Sequence, residues 1–170
     1  MKFLIKKIYI IIFSLSILLI EPQVYAKDSK IQYTSKNISN YFSGIISINQ
    51  NHNNKAIKYL KKVESLKNKH TQFNIEFIRT LIQLGKFEKA LAFSKEAWTE
   101  EELFFEADLL LGLNSFLKRD YIMAQKYFKR LNKISRYNLF FDDFIGNILL
   151  AWSKAIQGNE KDSIKFIEKV

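Results

Sequence analysis

Cysteine is absent from the 170 residues, proline occurs once (Pro22), glycine five times and histidine twice. Without cysteine the chain has no disulfide framework, no thiolate nucleophile, no thiolate-ligated zinc or iron–sulfur centre and no residue for a lipoprotein anchor. So little proline and glycine excludes collagen-like and linker-like chains. His52 and His70 stand eighteen positions apart with no acidic cluster around either, so a histidine metal site has nothing to build on. Both fall in expected turns among Asn and Lys, which favours a plain surface role. There is no glycine-rich phosphate loop, no Gly-x-Ser-x-Gly elbow and no His-Glu-x-x-His helix. Acids do cluster, at Glu100, Glu101, Glu102, Glu106 and Asp108 and at Asp142-Asp143. Neighbouring carboxylates do acid–base work when burial splits their pKa values, but both clusters sit where a helix is expected to start, next to the positive end of its dipole. No catalytic, cofactor-binding or metal-binding residue is assigned, and the chain reads as a non-enzyme.

What is present begins with an address. Lys2, Lys6 and Lys7 precede an apolar run from Ile8 to Ile20, which Glu21 and Pro22 break, and Val24-Tyr25-Ala26 offers small residues where a signal peptidase reads. Residues 1–26 are therefore expected to be a cleaved secretory signal, giving an exported chain, most simply in a bacterial periplasm. The rival is an uncleaved helix tethering the chain to the membrane, for which thirteen residues fall short of the roughly 20 that span a bilayer. On this reading the membrane is met only through the signal before cleavage. Residues 27–36 are polar, lack periodicity and are expected to be a flexible leader.

The formal charge of +10 and pI near 9.6 suggest nucleic-acid or membrane binding at first sight. Loss of the signal leaves 24 basic and 16 acidic residues, a balance of +8, and residues 27–70 alone carry +7. Only four of the 27 basic residues are Arg, the better reader of phosphates and bases. Nucleic acid is thus disfavoured as a partner. Binding of nucleic acid or anionic lipid through Lys55, Lys58, Lys61, Lys62, Lys67 and Lys69 stands as the alternative function.

Ala56, Ala90 and Ala124 are separated by 34 residues each, and each sits in the same frame: Asn54-Lys-Ala56-Ile-Lys-Tyr59, Glu88-Lys-Ala90-Leu-Ala-Phe93, Met123-Ala124-Gln-Lys-Tyr127. Twelve residues earlier stand Gly44, Ile78 and Gly112. Small side chains at such positions let two helices approach to about 8–10 Å. Apolar residues recur at helical spacing, as in Leu81, Leu84, Phe87 and Leu91 and again in Leu109, Leu113, Phe116 and Leu117. Turns fall at Asn51-Asn53, Gly85-Lys86 and Arg119-Asp120. Thr99-Glu-Glu-Glu102 reads as a capping box opening the third unit, and Asn53, Asp120 and Asp143 as caps. Alternating β-branched stretches bounded by turn residues are missing, so strands are not expected.

Leu111-Gly112, Asp120-Tyr121 and Ala124, with Gly85, Phe87, Ala90 and Ala97, resemble the tetratricopeptide repeat, although the family's Trp and closing Pro are missing. The resemblance implies an all-α fold, a right-handed α-solenoid of helix-turn-helix repeats at about 37–70, 71–104, 105–138 and 144–170, with five extra residues around Ser135 to Phe140. Together with the expected signal, it implies an exported scaffold that binds a protein or peptide, in envelope assembly for instance. The groove-facing positions of the first helices would be Tyr41, Ile45, Ile48, Ile75, Arg79, Ile82, Gln83, Leu109, Leu113, Phe116, Ile148 and Trp152. The same side chains could instead be covered by further repeats, by a curled superhelix or by self-association. Ile164, Phe166, Ile167 and Val170 extend that last possibility to the C-terminal helix, because repeat arrays normally end in a polar cap.

Overall fold

The computed structural model describes residues 33–67, 69–134 and 142–170. The expected signal, residues 27–32 of the expected leader, the extra residues around 135–140 and the side chains of Asp142 and Asp143 lie outside them. Residues 31–170 form one compact unit. Its helices are α1 (Ser35–Asn49), α2 (Asn53–Leu60) continued by a 3₁₀ segment (Lys61–Leu66), α3 (Thr71–Gln83), α4 (Phe87–Ala97), α5 (Phe105–Leu117), α6 (Tyr121–Leu131), α7 (Asp142–Ile156) and α8 (Glu160–Ile167). There is no strand among the described residues, and the fold is an all-α helical-repeat solenoid. Within each of the four pairs, α1–α2 to α7–α8, the helices pack on each other. Each second helix also packs on the first helix of the next pair.

The pairs share one turn geometry. Asn51, Gly85, Arg119 and Gly158 take positive φ of 57°, 66°, 64° and 74°. In each case the following N–H reaches back five residues: His52 to the Ser47 carbonyl (2.8 Å), Lys86 to Leu81 (2.8 Å), Asp120 to Ser115 (2.9 Å) and Asn159 to Lys154 (3.0 Å). This is the Schellman closure, in which a left-handed residue lets the chain satisfy the last carbonyls of a helix. Two of the four turns thus place a side-chain-bearing residue where glycine is favoured.

Capping follows the sequence in part. Asp120 Oδ1 accepts from the Met123 N–H at 3.1 Å and opens α6, as expected. Asn53 does not cap: it lies inside the first turn of α2, and the preceding His52 makes no side-chain cap. Thr34 caps α1, accepting from the Asn37 N–H at 3.2 Å, and Ser35 and Lys36, placed in the expected leader by sequence, are already helical. His70 is not a plain surface turn residue; its Nδ1 accepts from the Phe73 N–H at 3.0 Å and starts α3. At residues 99–102 the Thr99 hydroxyl does accept from the Glu102 N–H at 3.3 Å. Yet α5 begins only at Phe105, because the intervening carbonyls are bound by an arginine described below.

Small residues sit where helices touch. Ala56, Ala90 and Ala124 are fully buried. A Cβ on Gly44 would lie 2.6 Å from Leu60 Cδ2, and one on Gly112 would enter the Phe128 ring. The core divides into a cluster around Leu60, Phe73, Phe77, Ile78 and Phe93 and another around Phe128, Leu131, Leu149 and Leu150. Each such side chain contributes about 1.5–3 kcal/mol by burial.

Candidate functional site

The positions expected to face a groove all lie on first helices. Helix α1 carries Tyr41, Ile45 and Ile48, α3 carries Ile75, Arg79, Ile82 and Gln83, α5 carries Leu109, Leu113 and Phe116, and α7 carries Ile148 and Trp152. Arg79, Gln83 and Trp152 are exposed and the others half-buried. Tyr41, Ile48, Ile75 and Ile82 rest on the margin of the first core cluster, and Leu109, Leu113 and Phe116 on that of the second. Such a residue stabilises the fold with its buried side while offering the other side to solvent. Burial, with the charge of Glu76 adding to it, pushes the Tyr41 hydroxyl pKa above the ordinary tyrosine value, so this hydroxyl stays a neutral hydrogen-bonding group.

The charge in the row is spoken for. Arg79 Nη2 lies 2.6 Å from Glu106 Oε1 and its Nε donates to the same oxygen at 2.9 Å, tying α3 to α5. Glu106 is buried, so Arg79 neutralises a carboxylate of this chain, which leaves the row apolar in character. Trp152 is 57% exposed, the most exposed aromatic of the row.

A buried charged hub stands between the second and third pairs. Asp108 is fully buried, although its place in the first turn of α5 suits the dipole role expected for it. Its Oδ1 accepts from Arg130 Nε at 2.8 Å and from Trp98 Nε1 at 2.7 Å, and its Oδ2 from the Phe104 N–H at 3.3 Å. Arg130 continues to the carbonyls of Glu100 (2.7 Å), Thr99 (3.0 Å) and Glu102 (2.5 Å), with its guanidinium carbon 4.9 Å from the Trp98 ring centre. One arginine thereby holds the whole connection from α4 to α5. The only sequence sign of it is a scarce Arg among many Lys.

Two concavities flank these features. An open one of about 520 Å³ is lined by Glu100, Ile122, Gln125, Lys126, Lys129, Arg130 and Lys133. There Lys126 hydrogen-bonds Glu100 and, through that bond and its charge, lowers the Glu100 carboxyl pKa. A smaller, mainly apolar one of about 210 Å³ lies between Tyr33, Ile38, Tyr41, Phe42, Leu66 and His70. Of the lysines considered for polyanion binding, Lys55, Lys58, Lys61, Lys62 and Lys69 are exposed, whereas Lys67 pairs with Glu96 and lies over the Phe93 ring. Among the described residues no group of acids and histidines is placed to hold a metal ion, and no helix is long and apolar enough to cross a membrane.

Paired helices with a common turn and small residues at their crossings define a helical-repeat protein. Residues 39–70 match the family model of the tetratricopeptide repeat, so the chain carries a repeat of this family over that span. The matched span covers most of α1, all of α2 and the 3₁₀ segment, the unit whose turn residues depart most from the family pattern. No curated protein matches the chain. Repeats of this family make the chain a protein–protein interaction scaffold.

Proposed function

We propose that the chain is an exported scaffold whose first-helix row receives an extended peptide or a helix of another envelope protein, during envelope assembly. The observation that carries this reading is the run of half-exposed apolar side chains continued over four successive first helices and ending in the exposed ring of Trp152. Aromatic anchors of this kind dominate binding energy when a partner excludes water from them, and an apolar helical surface of this length suits a peptide or amphipathic helix. The signal-like build of residues 1–26 supports export.

The test is capture from an envelope extract by immobilised protein and by its Trp152→Ala and Ile82→Asp variants, with Lys58→Ala as a control away from the row. A specific protein retained by the parent and the control, and lost at least about tenfold by both row variants, supports the reading. Retention by every variant alike, or by none including the parent, refutes it. The intact mass of the exported product tests the address, with cleavage before Lys27 as the expected result.

A further inference from the structure

The two ends of the described array expose apolar faces that internal pairs cover. Ile164, Ile167 and Val170 stand one, four and seven places after Ser163, as Ile57, Leu60 and Val63 stand after Ala56, and Gln125, Phe128 and Leu131 after Ala124. These counterparts on α2 and α6 are all buried, and on α4 Ser94 is buried with Leu91 and Ala97 half-buried, while Ile164 and Ile167 are each 50% exposed. Helix α8 packs on α7 as α6 packs on α5, and among the described residues no first helix of a following pair covers its other face. The same holds at the other end. Phe42 and Ile46 on α1 are 57% and 54% exposed, but their counterparts Glu76, Leu110 and Leu149, and Thr80, Asn114 and Ser153, are buried or half-buried under a preceding second helix. With Ile38 they form a stripe spaced by four residues on a helix that carries one charged residue, Lys36, in fifteen.

We propose that α8 of one copy packs on α1 of the next, so that copies join head to tail and continue the repeat-to-repeat interface between molecules. The occupant is a second copy of this chain because each exposed face is the half of an interface whose other half the same molecule carries at its opposite end. The α1 side carries a single charged residue, Lys36, and the apolar faces supply the driving force. Since the two faces differ, the contact is heterologous and produces a ring or an open chain of copies. It uses neither Trp152 nor Ile82, so it stands or falls independently of the partner row.

The experiment is the weight-average mass of the purified full chain, by light scattering and sedimentation, over about 10–200 µM, where small apolar interfaces associate. Growth beyond the dimer is expected for the parent protein, with dissociation at least about tenfold easier in Phe42→Asp and in Ile167→Asp. Mixing these two variants is decisive, because the intact α8 of the first fits the intact α1 of the second. The mixture should give a dimer of one copy each that grows no further. Ile46→Asp and Ile164→Asp repeat the test should either first variant lose its helical circular dichroism. A parent monomer throughout, as folding of residues 1–32 onto α1 or cover by an unrelated protein would give, overturns the proposal. A symmetric dimer sensitive to one face only, or a mixture that stays monomeric, does so as well.

Discussion

Replacing Asp108 by alanine removes the carboxylate that meets Arg130 Nε (2.8 Å) and the Trp98 indole N–H (2.7 Å). Were Asp108 a solvent-facing acid in a first helical turn, its loss would cost about 0.3–1 kcal/mol. The buried geometry demands more, because Asp108 is fully buried and Arg130 nearly so. Removing one partner of such a pair leaves the other's charge uncompensated, at about 3–5 kcal/mol. Against a total stability of about 5–15 kcal/mol that is a large share, and at about 3 °C per kcal/mol for a chain of this size the midpoint should fall by roughly 10 °C or more. Urea unfolding followed by circular dichroism, on Asp108→Ala, Arg130→Met and the double variant, completes the cycle. The double variant should be more stable than the sum of the single losses predicts, by at least about 1 kcal/mol, since it strands no charge. Arg130→Lys should keep the charge but lose the fork that reaches three carbonyls, and fall between parent and Arg130→Met. Single losses under about 1 kcal/mol would refute the assignment of this pair as the clamp of the α4–α5 connection.

Gly112→Ala should destabilise by about 1–3 kcal/mol, because its Cβ would enter the Phe128 ring; a neutral thermal melt would contradict the close crossing of α5 and α6. Arg119→Gly should stabilise by up to about 1 kcal/mol, since Arg119 holds a φ of 64° that glycine adopts freely, and a lower melting midpoint would speak against that turn. Asp162 accepts from Lys165 Nζ at 3.2 Å and Asn159 Nδ2 at 2.9 Å, and these bonds hold its carboxyl pKa below the ordinary aspartate range. The stabilisation it gives α8 is therefore complete above that range and lost as pH falls through the lowered value. A carboxyl titration by NMR should show the depressed midpoint, and a midpoint at or above that of free aspartate would dismiss the contact.

Features set by size and local geometry could be read from the chain. Ala56, Ala90, Ala124, Gly44 and Gly112 announce helix crossings because the alanines are fully buried and a Cβ on either glycine would meet Leu60 or Phe128. The spacing from Asn51 to Gly85 and Arg119 announces the turns because each closes the same hydrogen-bond pattern. Asp120 was legible as a cap for the same local reason. Residues whose role depends on distant partners were not. Arg130 is an ordinary second-helix cation until folding brings it to Asp108 and to the carbonyls of residues 99–102, and those bonds delay the start of α5 past the apparent capping box. His70 looked like surface until its ring nitrogen met the Phe73 N–H. Of the candidate row, the placement on first helices was legible; the engagement of Arg79 by Glu106 was not, since it joins residues of two different repeats.

The central claim is that partners are received by the first-helix row. Site-directed photo-crosslinking in an envelope extract tests it most directly, with a photoreactive residue placed in turn at Ile82, on the row, and at Lys95, on the second helix α4. A discrete adduct from position 82 that is absent from position 95 is the predicted result. An adduct from position 95 with none from position 82 would contradict the account.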